Sequence, residues 1–255
     1  TRAMLQTAQV STDAVVASDV ATPVKTRILA GAFGTIRQQV LRIDDEPERP
    51  IGAAVQERIA EQLRKHAAHA DVVVVSDYGM GAVTGAVVDA VRELIARGAV
   101  VCVDSRYHAS AFAGATAILP NVPEAEALAG FPLNTKDAIN RAGSEILARL
   151  KCKAVLLTQG KGGMSLFRSG MATAHVEIVG EDEVTDVTGA GDTVTATFSA
   201  ALAGGIGMTN GMKLANVAAG IVVTRLGTAT ATPQEITAAA ERAGVELEPW
   251  DASST

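Results

Sequence analysis

Asp71-Val72-Val73-Val74-Val75-Ser76-Asp77 is the stretch that decides the fold. Four consecutive valines leave no in/out alternation, so the run reads as a parallel strand buried on both faces. Ser76 and Asp77 then fall at its carboxyl end, where open α/β sheets carry their functional groups. Outward from this strand the pattern repeats. Residues 53–69 read as a helix, and residues 84–97 as another that Gly98 stops. Ala99 to Asp104 is the next strand. Ala117-Ile118-Leu119 is a short strand followed by a turn at Pro120-Asn121-Val122-Pro123. Residues 135–150 are helical, Lys153 to Thr158 is a strand, and 163–168 with 171–179 make a hairpin around Ser169-Gly170. Helices at 190–203, 209–225 and 233–243 complete the chain. Strands alternating with helices predict an α/β core over residues 51–255, a central mostly parallel sheet flanked by helices.

The first 50 residues read differently. Lys25-Thr26-Arg27-Ile28-Leu29 and Gln38-Gln39-Val40-Leu41-Arg42-Ile43-Asp44 are β-like and are joined by the stretch Ala30-Gly31-Ala32-Phe33-Gly34. They predict a small antiparallel piece with one wet face, ended by Asp45-Glu46-Pro47-Glu48-Arg49-Pro50. Residues 1–50 are therefore taken as a region apart from the core.

Bulk properties narrow the function. Apolar residues make up 48% of the 255, yet aromatics only 3%, so Ala, Val, Leu and Ile fill the core. The net charge is −6 and no basic stripe stands out, which gives no footprint for nucleic acid. A mildly acidic balance does not exclude a phosphate ligand such as ATP, because phosphates are held by local dipoles and Mg²⁺. Cys102 and Cys152 each sit beside an apolar run and read as reduced, partly buried thiols. No apolar run approaches the roughly 18 residues of a membrane span, and no signal peptide opens the chain, so a cytoplasmic location is expected.

The chemistry concentrates in Asp186-Val187-Thr188-Gly189-Ala190-Gly191-Asp192-Thr193. Small residues at 189–191 let backbone approach a ligand where a loop enters a long helix. The first amides of that helix lack internal partners and make an anion site. Asp192, in the first turn, lies within reach of whatever that site holds. An anion hole of Gly189, Ala190 and Gly191 with an adjacent carboxylate suits phosphoryl transfer to a hydroxyl, Asp192 taking the proton. A glycine-rich turn with an Asp capping its helix is the plainer alternative.

That octapeptide closely resembles the C-terminal signature of the ribokinase-like (PfkB) carbohydrate kinases. Asn121-Val122-Pro123-Glu124 resembles the family's Asn-x-x-Glu motif, and Thr158-Gln159-Gly160-Lys161-Gly162-Gly163 its strand-end nucleotide loop. The resemblance implies a ribokinase-like fold with a small β lid at residues 25–44, ATP and Mg²⁺ as cofactors, and a small-molecule sugar or sugar phosphate as substrate. It implies that Asn121 and Glu124 organise Mg²⁺ and the phosphates, Glu124 through water. Thr158, Gly160 and Asn216 would lie near the nucleotide, and Asp186 would hold a monovalent cation such as K⁺. In relatives the lid also mediates homodimers. The pairing of Lys25-Thr26-Arg27 with residues 38–44, the run Val75-Ser76-Asp77-Tyr78-Gly79-x-Gly81, and Ala215–Val223 with Leu226-Gly227-Thr228-Ala229 are similar to the heptose 7-phosphate kinase branch. That branch phosphorylates the anomeric hydroxyl. Other acceptors of the family (ribose, fructose, a nucleoside) and a non-catalytic binding module are the alternatives.

Several positions depart from the family. Relatives show Asp-Pro-Lys where this chain has Asp104-Ser105-Arg106, and Lys where it has Met80, which removes a charge that could meet a phosphate. The family's opening segment, with a core strand, an early sugar-binding Asp and a Gly-Gly loop, does not appear, so an incomplete kinase with an open sheet edge near Val72–Val75 and little turnover is expected. The fused nucleotidyltransferase's His-x-Gly-His is also absent. His66 and His69 read as surface residues, Asp44-Asp45-Glu46 and Glu181-Asp182-Glu183 as solvated turns, and Trp250 as an anchor for the C-terminal tail.

Overall fold

A computed structural model describes residues 2–18, 20–31, 38–47, 49–179 and 185–247. A short helix, α1 (Arg2–Thr7), precedes a two-stranded antiparallel ribbon of β1 (Val24–Ala30) and β2 (Gln38–Asp45). Val24 faces Asp45 and Ala30 faces Gln38, with a bulge between Ile28 and Leu29. Two expectations are corrected here. Asp44 and Asp45 belong to β2 rather than to a turn, because Asp44 pairs across the ribbon with Lys25 (3.5 Å) and along it with Arg42 (2.9 Å). The ribbon also exposes apolar side chains throughout: Ile28, Leu29, Val40, Leu41 and Ile43 are 37–62% exposed.

The core follows as α2 (Ala53–Ala67), β3 (Val73–Asp77), α3 (Ala86–Ala96), β4 (Val101–Ser105), β5 (Ala117–Ile118), α4 (Val122–Ala129), α5 (Lys136–Leu150), β6 (Ala154–Thr158), β7 (Met164–Arg168), β8 (Ala174–Val176), α6 (Ala190–Ala203), α7 (Met208–Val223) and α8 (Pro233–Arg242). The sheet order is β3-β4-β5-β6-β7-β8; β3 to β6 are parallel, and β7 and β8 antiparallel. Alternate strand residues feed two cores. Val101, Val103, Val155 and Leu157 pack with Val91, Phe112 and Ile146 on one face. Cys102, Ala154, Leu156 and Leu166 pack with Phe198 and Met212 of α6 and α7 on the other. That sorting makes a three-layer sandwich.

The valine run differs from its reading in one respect. Among the described residues β3 pairs with β4 alone, and Val74 is 43% exposed. An edge strand loses part of its cover, whereas β4 and β6, flanked on both sides, bury nearly every residue. The expected turn at 120–123 is instead the capped start of α4. Gly163 opens β7 with φ +73°, and an added Cβ would lie 1.9 Å from the Val176 carbonyl oxygen, so only glycine fits there. Cys102 and Cys152 are free and buried; burial pushes the Cys152 thiol up to about 12. His66 and His69 are exposed. Residues 32–34 of the ribbon link, Glu181-Asp182-Glu183 and Trp250 lie outside the described residues. No helix among the described residues is long and apolar enough to cross a membrane.

Candidate active site

The parallel strands β3 to β6 end on one side of the sheet, with Asp77, Asp104 and Thr158 at the carboxyl ends of β3, β4 and β6 and Asn121 just after β5. Asn121 and Thr158 form an isolated parallel bridge, which brings the metal-side and nucleotide-side motifs together. Asn121 caps α4 reciprocally: its Oδ1 accepts from the Glu124 amide, and its own amide donates to Glu124 Oε2, both at 3.0 Å. This capping box orders the turn and aims Glu124 from the first turn of the helix.

Helix α6 begins at the glycine-rich signature. Gly189 is its N-cap with φ +83°, a left-handed conformation that suits glycine. The Ala190 amide donates to the Val187 carbonyl at 3.2 Å, a bond within the turn. The amides of Gly189, Gly191 and Asp192 have no hydrogen-bond partner among the described residues. Asp186 secures the approach to this turn. Its Oδ1 accepts from the Thr188 amide (2.9 Å) and its Oδ2 from the Gly227 amide (3.1 Å). Burial raises its carboxyl's pKa, but hydrogen bonds from Thr188 and Gly227 and the Arg27 charge outweigh that and hold it below the usual range.

Three cavities meet on this turn. The first, about 530 Å³, is lined by Asp77, Asp104, Glu124 and Asp192, with Arg106 the one basic lining residue among the described residues. The second, about 270 Å³ and largely apolar, is lined by Thr158, Gly160, Gly191 and Asn216, and also by Lys161. The third, about 480 Å³, lies on the ribbon side, where Lys25, Arg27 and Met80 line it with Tyr78, Gly189 and Asp192. Every residue expected at the site except Asp186 therefore lines one of the first two cavities. Asn216 is buried, and its amide donates to the Glu177 carbonyl at 2.6 Å, which fixes its orientation.

Sequence reasoning placed Asp77 at a functional strand end but gave no role to Asp104 or Tyr78. Burial, then repulsion from Glu124, Asp192 and Asp77, raises the Asp104 carboxyl to about 6, against a hydrogen bond from Thr195 Oγ1 (3.1 Å). Asp77, 5% exposed, accepts from the Gly79 amide (2.9 Å) and Ser105 Oγ (2.8 Å), and its Oδ2 lies 3.0 Å from His108 Nδ1. These bonds fix the loop that carries Tyr78. The signal was available: polar residues at the carboxyl ends of successive parallel strands mark a site.

An amide-rich helix start beside a carboxylate, between an apolar cavity and a polar one, on a ribokinase-like α/β sheet, defines a phosphotransferase of the sugar-kinase class. Residues 51–235 match the family described as pfkB family carbohydrate kinase, and the chain belongs to that family. Among curated proteins, the Bifunctional protein HldE of Trichlorobacter lovleyi is 40% identical over 90% of this chain, and that of Geobacter sulfurreducens 41% identical over 83%. The chain spans less than half the length of these relatives, 45% and 42% respectively. Among solved structures, the fold is similar to Arabidopsis thaliana ribokinase complexed with ribose and ATP, with TM-score 0.67, 21% identity, and 87% and 70% of the two chains covered. It is also similar to a Burkholderia thailandensis nucleoside kinase in complex with inosine, with TM-score 0.69, 17% identity, and 97% and 78% covered.

Proposed function

We propose that the chain transfers the γ-phosphoryl group of ATP to the anomeric hydroxyl of heptose 7-phosphate, with Asp192 as general base. The observation that carries this reading is that Asp192 lines both the polar cavity and the ribbon-side cavity, beside unpartnered helix-start amides. The apolar cavity holds the adenosine, against Thr158, Gly160 and Asn216. The triphosphate runs past Gly191 into the polar cavity. The acceptor lies under the ribbon, where Lys25 and Arg27 supply the positive charge for its phosphate and Met80 supplies none. Asp192 takes the proton from the acceptor hydroxyl as its oxygen attacks the γ-phosphorus. The Gly189, Gly191 and Asp192 amides stabilise the charge that develops on the transferred group.

Mg²⁺ fits the polar cavity. Four carboxylates and one guanidinium line it among the described residues, and burial, then repulsion from the neighbouring carboxylates, raises the Asp104 carboxyl to about 6. A divalent cation relieves the repulsion and screens a triphosphate from it. Among the described residues no group of three or more His, Cys, Asp and Glu side chains is placed to ligate a metal directly. Glu124 and Asn121 would accordingly hold the ion through water and phosphate oxygens. A monovalent cation fits beside Asp186, whose carboxylate keeps lone pairs beyond the two amide bonds. There it would order the loop into the anion hole.

The test is sugar-dependent ADP release across heptose 7-phosphate, ribose, fructose and nucleosides. Heptose 7-phosphate is expected to give the highest kcat/KM. A higher value for free ribose would refute the acceptor and leave the kinase class standing. The ribbon is proposed to pair with the ribbon of a second copy, because an isolated two-stranded ribbon with exposed apolar residues is marginal in water. Light scattering is expected to give a dimer mass that Leu41→Glu returns to monomer.

A further inference from the structure

Tyr78 stands where a substrate is expected. Its hydroxyl donates to both carboxylate oxygens of Asp192, at 2.8 Å from Oδ1 and 2.7 Å from Oδ2. Those are the distances at which a general base holds the hydroxyl whose proton it removes. Tyr78 and Asp192 line the same two cavities, so the phenol lies between the proposed phosphate and acceptor sides. Its loop is anchored, and its side chain belongs to neither core cluster. Asp77 anchors the loop through the Gly79 amide, while Tyr78 is 48% exposed and can turn away without disturbing either core cluster. Burial, and then the hydrogen bond and charge of Asp192, raise the phenol's pKa well above the usual tyrosine value, so the hydroxyl stays a donor.

We propose that the Tyr78 hydroxyl is a positioning group that fills the proton-accepting site of Asp192 until an acceptor sugar displaces it, and so makes the enzyme select a sugar hydroxyl over water. The inference rests on the reading of Asp192 as base. In the empty site a water bonded to Asp192 would be activated as the sugar is. Its oxygen would bond to the γ-phosphorus, the bond to the bridging oxygen would break, and its proton would pass to Asp192, giving ADP and phosphate. The phenol occupies that place, and an incoming sugar exchanges one hydroxyl donor for another.

Two measurements test this, and neither depends on knowing the sugar. Mg-ATP hydrolysis without sugar is compared in wild type and Tyr78→Phe. Removal of the Tyr78 hydroxyl leaves room for one water against the base, and a rise of about 10-fold or more is expected in that variant. The near-ultraviolet tyrosine absorption of the ligand-free protein is compared before and after Asp192→Asn. The sequence has two tyrosines, so the signal is assignable. The change on losing the carboxylate is expected to vanish in a Tyr78→Phe background and to persist in Tyr107→Phe. Hydrolysis no faster in Tyr78→Phe, or a spectral change that survives without Tyr78, overturns the proposal. Failure of the base assignment shows separately, as near-normal sugar-dependent turnover in Asp192→Asn.

Discussion

Replacing Asp192 by Asn tests the centre of the proposed chemistry with the least structural disturbance. The amide keeps the shape of the carboxylate, and Oδ1 can still accept from Tyr78. It cannot take a proton. Loss of a general base costs about 10²–10⁴ in rate, which at about 1.36 kcal/mol per tenfold is about 3–5 kcal/mol of barrier. The cost to the fold is smaller. Asp192 lies in the first turn of α6, and a carboxylate there contributes about 0.3–1 kcal/mol through the helix dipole. Domains have about 5–15 kcal/mol of stability to draw on. ATP affinity should hold, since Thr158, Gly160 and Asn216 line the apolar cavity and Asp192 does not. The assay pairs calorimetric Mg-ATP binding with sugar-dependent ADP release. Unchanged binding with turnover reduced by at least about 100-fold is expected. Near-normal turnover would refute the base assignment, and lost ATP binding would refute the separation of the two cavities.

Glu124→Gln should preserve the capping box, since glutamine accepts from the Asn121 amide as glutamate does, while removing one negative charge from the polar cavity. The expected result is a raised Mg²⁺ requirement with unchanged thermal stability, read by metal titration of ADP release. Asp104→Asn should stabilise the ligand-free protein at neutral pH. Asp104 has its folded-state pKa raised from 3.8 to about 6, so its ionisation destabilises the fold fully above 6 and not at all below 3.8. Urea unfolding should show a gain on the order of 2–3 kcal/mol at pH 7.5 that fades as pH falls through 6 towards 3.8. A gain independent of pH would show that charge is not its source.

Helix boundaries were the most legible part of the fold. Ala190–Ala203 begins and ends where residues 190–203 were read, because Gly189 and Gly204 punctuate an apolar pattern of 3.6 period. The run at 72–75 was legible as a parallel strand, but its half-open state depends on which strands neighbour it, and composition carries no such information. Asp44 and Asp45 were misread because local acidity suggests a turn, while their position is set by Lys25 on the facing strand. At the site, motifs could name candidate residues but not the contacts between distant stretches of chain. Tyr78 and Asp192 are 114 residues apart in the chain, and only the closing of the sheet brings them together. Ala190 shows the same limit at close range: its motif is legible, yet the Val187 carbonyl that takes its amide is not.

Among the described residues the apolar cavity and the ribbon-side cavity have no lining residue in common, although both reach the glycine-rich turn before α6. Changes at Lys25, Arg27, Met80 or Val83 can therefore redraw one compartment while leaving the other as it was. A fold built this way can keep one energy source through a long line of descendants and try new acceptors a side chain at a time. Mutations on the shared turn, by contrast, strike both compartments at once and leave little room to drift.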